Sequence, residues 1–200
     1  MYRGNSSRVF PIVIVLIVVA IAIAALVSVG RTIFGGDTQT DSSKVDAGQK
    51  ALLNTSVGNS VRMTVRGPIV ADEDFRSYRV AVDASGRNLS TYSGYVSQVI
   101  DSKQLGNNVK AYEQFVYALD KANFMKGTAA TGEADDTRGI CASGRVYEFE
   151  VVQGGMVTKR LWTSTCRGSS GSFKGSSDQI EKLFLGQIPD NKPLLKTIDF

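Results

Sequence analysis

The longest hydrophobic run in the chain covers residues 9–29 and contains no charged side chain. As a helix, a run of this length would measure roughly 31 Å, close to the thickness of a bilayer's hydrocarbon core. In lipid, a helix can satisfy all of its own backbone N–H and C=O groups. The pattern therefore predicts an N-terminal transmembrane helix over residues 9–29, with the lipid bilayer as its partner.

The charges on either side of this run predict its orientation. Arg3 and Arg8 precede it, and every acidic residue follows it. Because cytoplasmic flanks carry the excess of positive charge, we expect residues 1–8 in the cytoplasm and the C-terminal part outside the cell membrane. The run is longer than the apolar core of a cleaved signal peptide, which favours an uncleaved single-pass anchor. Cleavage after Ala22-Ile23-Ala24 is the alternative.

Strand patterns begin after a polar stretch. Residues 30–56 are predicted to be a linker that contains a short helix at residues 42–54. Apolar and polar side chains then alternate in three segments between residues 61 and 96, as is typical of half-buried strands. The turn sequence Asp83-Ala84-Ser85-Gly86 joins the last two segments into a hairpin, whose second strand is expected at residues 87–96.

Helical patterns follow. Apolar side chains recur at helical spacing over residues 109–126, which predicts a helix that begins after Asn107-Asn108 and is closed by Gly127. A capping-box pattern at Ser176 opens a shorter helix. Two prolines predict an extended tail at residues 190–200.

Between the two helices lies a second predicted hairpin, with its turn at Gly154-Gly155. We expect Trp162 on the same core-facing side as Tyr147 or Phe149. Together these elements predict an α+β fold, with about five antiparallel strands and one or two packed helices. The predicted extracytoplasmic domain covers residues 57–189 and is long enough for a hydrophobic core of its own.

The two cysteines, Cys141 and Cys166, lie at the open end of the second hairpin and in the part of the chain that is expected outside the membrane. An even pair of cysteines in an oxidising compartment predicts a disulfide. Two buried free thiols are the alternative. The pairing requires Cα atoms about 5.5 Å apart.

Charge and composition exclude several classes of function. The net charge is +4, but all 19 acidic residues and 21 of the 23 Lys and Arg residues follow the hydrophobic run, so the exterior carries only +2. These charges are interspersed rather than clustered, which argues against nucleic acid as a partner. The chain contains no histidine, which removes Ser-His-Asp and Cys-His catalysis and imidazole–zinc sites. We predict no cofactor, no metal and no catalytic residue.

Two groups of carboxylates are candidates for catalysis or metal binding. Glu148 and Glu150 share a strand face and so could act as paired acids, but cross-strand charge pairing with Lys159 and Arg160 is the favoured interpretation. The acidic stretches at residues 72–74 and 135–136 carry oxygens of the kind that calcium binds. Their spacing does not match a calcium-binding loop, so we interpret them as solvated.

Tyr92 and Tyr95 are the candidate binding surface. Tyrosine is favoured in binding patches because it is amphipathic and loses little conformational entropy. The alternative is that one of the two belongs to the core.

Four motifs of the chain resemble those of uncharacterised single-pass exported proteins of small-genome bacteria. They are Y-x-V-x-V-D-x-x-G-R at residues 78–87, Gly139-x-Cys141, Trp162-x3-Cys166 and the closing Leu183-Phe184…Gln187-Ile188-Pro189. This resemblance implies a location and no mechanism. The outline also resembles type IV pilins, although their processing site and glutamate are missing, and the topology resembles small protease-inhibitor domains.

The expected function is a membrane-anchored extracytoplasmic binding or scaffolding domain that contacts an envelope or surface protein. A pilin-like surface subunit, a histidine-free hydrolase and a protease-inhibitor-like domain are the alternatives.

Overall fold

The computed structural model describes residues 47–198. The predicted membrane span at residues 9–29 and most of the predicted linker lie outside this range. Among the described residues, no helix has the length and apolar character needed to cross a membrane. The described part is an α+β fold built on a six-stranded antiparallel sheet, which confirms the predicted class.

The sheet combines a four-stranded meander with a separate hairpin. The hairpin follows the meander in the chain, but it pairs with the meander's first strand, so β1 lies near the middle of the sheet. The spatial order is β4-β3-β2-β1-β5-β6. The strands are β1 (Asn59–Arg66), β2 (Arg76–Asp83), β3 (Gly86–Ser93), β4 (Gln98–Gly106), β5 (Val146–Gln153) and β6 (Met156–Ser164).

Strand β4 is the element that the sequence did not predict. It lies at the edge of the sheet, and nearly all of its side chains are exposed, so its sequence shows no burial alternation. Its pairing with β3 is irregular between Thr91 and Tyr92, where Ile100 is an extra residue, a β-bulge. The predicted third strand also ends early, because Tyr95 lies in the β3–β4 turn rather than in β3.

Helices cover one face of the sheet. They are α1 (Ala47–Leu52), α2 (Val109–Lys121), α3 (Ser177–Leu185) and α4 (Lys192–Lys196), and a 3₁₀ turn occupies Gly132–Asp135. The predicted caps are confirmed: the side chain of Asn108 accepts a hydrogen bond from the Ala111 N–H at 3.0 Å, and that of Ser176 accepts one from the Gln179 N–H at 3.3 Å.

Helix α2 ends five residues before the predicted boundary. Asn123 adopts a left-handed conformation with φ of 61°, which stops the helix before the predicted closing residue, Gly127. Leaving the helix early lets Phe124 turn into the core, where its ring lies 5.7 Å from that of Phe149.

The C-terminal segment is folded, so the predicted extended tail is wrong. Pro193 occupies the first turn of α4, where its missing N–H costs no helical hydrogen bond. Beyond α4, Ile198 is 3% exposed and packs into the main core with Leu194 and Leu195 at its edge.

The hydrophobic core lies between the helices and the inner face of the sheet. Strand β5 contributes Tyr147 and Phe149 to it, whereas Trp162 lies across from Glu148 on the opposite face. The prediction that Trp162 shares the core face is therefore wrong. The register of β5 and β6 instead places Trp162 in a small second core with Cys141 and Val146.

The predicted disulfide is confirmed. Cys141 and Cys166 are joined by an S–S bond, with Cα atoms 5.3 Å apart. The bond connects the loop before β5 to the segment that follows β6, and so closes the open end of the hairpin. Gly144 packs closely against the disulfide, since a Cβ at this position would come within 2.8 Å of the Cys141 Sγ atom.

Candidate functional site

The face of the sheet opposite the helices is polar, and we call it the polar face. Residues 132–145 contact it near β5 and β6, where Trp162 Nε1 donates to the Ala134 carbonyl at 3.3 Å. On this face, the pairing register of β1, β2, β3 and β5 places two rows of side chains side by side across the middle of the sheet. One row contains Glu148, Thr64, Arg79 and Ser90, and the other contains Val146, Arg66, Ser77 and Tyr92.

Glu148 is the centre of an ion-pair network on this face. Its Oε1 atom lies 2.9 Å from Arg66 Nη2 and 3.0 Å from Arg160 Nη2, and it accepts a hydrogen bond from Thr137 Oγ1 at 2.9 Å. Arg160 also pairs with Asp135 at 2.9 Å. The guanidinium groups of Arg66 and Arg160 are therefore both engaged.

Glu150 forms a simpler pair with Arg62, whose Nε atom lies 3.0 Å from Oε2 without the orientation of a hydrogen bond. The predicted charge pairing of the two glutamates is thus confirmed for Arg160 but wrong for Lys159. Lys159 lies across from Val151 on the core face, is 7% exposed, and donates to the Met125 carbonyl at 2.9 Å.

Arg79 differs from the other arginines of this face. Its Nε atom donates to Thr64 Oγ1 at 3.0 Å. Within residues 47–198, its two terminal nitrogens have neither a hydrogen bond nor a carboxylate partner. The guanidinium group is thus oriented by Thr64, and its outer edge is available to a ligand.

Tyr95 stands at one side of the polar face as a fixed wall. Its ring stacks on Phe75 with centroids 4.1 Å apart and planes 18° from parallel. Its hydroxyl donates to the Val70 carbonyl at 2.7 Å, and its backbone N–H donates to Asp72 Oδ1 at 2.8 Å. Although the side chain is 49% exposed, its ring and its hydroxyl each contact a neighbouring residue, and its backbone is held by Asp72.

Between this wall and the sheet lies a cavity of about 300 Å³, which we call the tyrosine hollow. Tyr92 and Tyr95 both line it, so the structure brings the two predicted binding residues into one site. Ser77 and Thr64 are nearly buried in its floor. Its remaining lining residues are Arg66, Phe75, Arg79, Ser97 and Glu148.

A second cavity of about 210 Å³ adjoins the hollow and shares Arg66, Phe75 and Tyr95 with it. Ile69, Ile140 and Val146 give this cavity a more apolar lining. The stacked Phe75–Tyr95 pair therefore borders two neighbouring depressions, one polar and one apolar.

The acidic stretches serve as local anchors. Asp72 holds the Tyr95 backbone, and Asp135 pairs with Arg160. Asp136 binds the Arg138 side chain and backbone N–H, and these hydrogen bonds lower the pKa of its carboxyl to about 2. Within residues 47–198, no three cysteine or carboxylate side chains are grouped as metal ligands would be.

Two buried phenols share a carboxylate on the helix-covered face. Tyr78 donates to Glu181 Oε1 at 2.5 Å and Tyr147 to Oε2 at 3.3 Å. Burial raises the pKa of both tyrosines, and the nearby Glu181 carboxylate raises each further. This cluster holds α3 against the sheet and is separate from the tyrosine hollow.

Sequence reasoning missed Arg66, Arg79 and Thr64 as members of a site. They alternate with apolar residues as any solvent-facing strand positions do, and only the pairing of β1 with β2 and β5 brings them together. The aromatic pair in STYSGYVS was the available signal. No protein-family model matches this chain, and no curated protein matches it either.

Proposed function

We propose that this protein is a membrane-anchored extracytoplasmic binding domain, and that the tyrosine hollow is its binding site. The observation that carries the proposal is the combination of a fixed aromatic wall, Tyr95 on Phe75, with a polar floor that includes the uncommitted edge of Arg79. Binding sites commonly join apolar walls to a few placed polar groups in this way.

The arrangement supports binding more than hydrolysis. Glu148 accepts contacts from Arg66, Arg160 and Thr137 on one oxygen, and Glu150 is paired with Arg62. A general acid or base needs a proton-transferring group that a substrate can reach. Here the two glutamates hold strands and a loop together, so their contacts are those of structural residues.

The anchor and the outward orientation rest on residues 9–29 and the charges beside them, and the disulfide supports an oxidising compartment. A test is protease treatment of intact cells or spheroplasts that carry the full chain with a C-terminal tag. We expect loss of the tag without lysis. Protection until the membrane is opened would refute the orientation.

The binding site is tested by photo-cross-linking in the same cells. A photoreactive phenylalanine analogue replaces Tyr92 in the hollow or, as a matched control, Tyr117, which is 53% exposed on helix α2 at the other face of the sheet. We expect one discrete cross-linked product from position 92 and none from position 117. Equal products from both positions, or none from either, would contradict the proposal.

A further inference from the structure

Resting on the function proposed above, we infer the chemical class of ligand: the tyrosine hollow binds a small oxyanion that carries a flat apolar group. Arg79 receives the oxyanion, and the aromatic wall receives the apolar group. Three features of the site support this inference.

The first feature is the division of charge among the arginines. Arg66 and Arg160 share the Glu148 carboxylate, and Arg62 contacts Glu150. Among the described residues, Arg79 has no carboxylate partner, although it lies between Thr64 and Ser90 in the middle of the sheet. A bound oxyanion would supply the negative charge that the Arg79 guanidinium group lacks.

The second feature is the pre-orientation of Arg79. The bond from its Nε to Thr64 Oγ1 uses the inner edge of the guanidinium group and leaves the two terminal nitrogens. A planar pair of N–H donors matches the two oxygens of a carboxylate or phosphate group. Because Thr64 is only 8% exposed, the residue that orients Arg79 is itself fixed in the sheet.

The third feature is the adjoining apolar surface. Tyr95 is held by Phe75, Val70 and Asp72, so its ring presents a surface that is already ordered before a ligand arrives. Rigid aromatic contacts give affinity at a low entropic cost. A cavity of about 300 Å³ suits a ligand with one ring and one charged group.

The experiment titrates the full-length protein in nanodiscs with phenylacetate, followed by ligand-detected NMR with empty nanodiscs as the blank. Phenylacetamide is the uncharged probe of the same shape, and phenyl phosphate is the alternative oxyanion. We expect phenylacetate or phenyl phosphate to bind and phenylacetamide to bind at least about tenfold more weakly, since a charge-assisted hydrogen bond is lost. The tighter of the two anions identifies the preferred oxyanion.

The decisive variant is Arg79→Gln, matched by Arg87→Gln on the opposite face of the same sheet. We expect the first to weaken anion binding by about tenfold or more and the second to leave it unchanged. Arg79→Lys keeps the charge but loses the planar donor pair, and should fall between them. Unchanged melting temperatures would confirm that all three variants fold.

Equal binding of phenylacetamide and phenylacetate, or equal effects of the two glutamine variants, would overturn the inference. Absence of anion binding would also overturn it. If the position-92 cross-link persists in that case, the binding function stands and only the ligand class is wrong. If the cross-link is absent too, both proposals fail.

Discussion

The Tyr95 hydroxyl bonds both backbone groups of Val70: it donates to the carbonyl at 2.7 Å and accepts from the N–H at 3.2 Å. One side chain from the β3–β4 turn therefore fixes the loop between β1 and β2. The two loops form one border of the tyrosine hollow, and Tyr95 connects them to each other.

Replacing Tyr95 by phenylalanine should loosen this border while the stack on Phe75 remains. We expect the Val70 amide to exchange its hydrogen at least several times faster, and the free energy of unfolding to fall by about 1 kcal/mol, because two hydrogen bonds are lost. Hydrogen-exchange NMR gives the first quantity and urea unfolding the second. Tyr92→Phe is the control, since the Tyr92 hydroxyl makes no hydrogen bond within residues 47–198. Equal exchange at Val70 in both variants would disprove this role.

Glu148→Gln should cost more stability than Glu150→Gln. Glu148 contacts two guanidinium groups, whereas Glu150 contacts one, and each carboxylate side chain is 16% exposed. We expect the free energy of unfolding to fall by about 2 kcal/mol in Glu148→Gln and by about 1 kcal/mol in Glu150→Gln. These losses are smaller than those of fully buried ion pairs because the carboxylates are partly exposed. Urea unfolding of both variants measures the difference. The order would reverse if the network with Arg66 and Arg160 contributed nothing.

Removing the disulfide should destabilise the domain by about 3 kcal/mol, because it closes a loop between cysteines 25 positions apart. The variant replaces Cys141 and Cys166 together by alanine, which avoids a lone thiol. Trp162 is the one tryptophan in the chain and packs beside the bond, so its fluorescence follows unfolding. Reduced wild-type protein should unfold at the same urea concentration as the variant. A reduced protein as stable as the oxidised one would refute this contribution.

Stability should fall as the pH rises above about 10. Burial raises the folded-state pKa of Tyr78, Tyr112 and Tyr147 above that of an unfolded tyrosine, near 10.0. The unfolded chain therefore releases these protons first, so the stabilisation is complete below pH 10 and is lost above it. Each such tyrosine contributes a slope of about 1.4 kcal/mol per pH unit.

Urea unfolding from about pH 9, just below the unfolded pKa, to about pH 11.5, above it, measures this slope. Absorbance at about 295 nm, where the phenolate absorbs, follows ionisation directly. Tyr78→Phe should reduce the slope of stability against pH by the contribution of one tyrosine, about 1.4 kcal/mol per pH unit. Tyr117→Phe, at an exposed position, should leave it unchanged. A stability that does not change across this pH range would contradict the burial argument.

The parts of the fold that could be predicted from sequence are those with a local physical cause. The β2–β3 and β5–β6 hairpins carry turn residues between alternating strands, and the cap residues Asn108 and Ser176 begin helices as expected. The disulfide followed from the β5–β6 turn, since pairing about that turn brings Cys141 and Cys166 together.

The remaining features depend on tertiary structure. Strand β4 is exposed on both faces, so no burial pattern exists to reveal it. Trp162 and Lys159 were placed on the wrong faces because the register slips by one residue between Val151 and Val152. The hollow joins residues from β1, β2, β3 and β5, and no local pattern encodes the pairing of β1 with β5.

The bulge in β4 also bears on how copies of this protein behave beside one another. A long flat edge strand would offer its backbone groups to another chain and so promote aggregation. Here Ile100 interrupts the regular ladder, and Asp101 and Lys103 place charges on the edge. These features oppose the addition of a further strand along the β4 edge of the sheet.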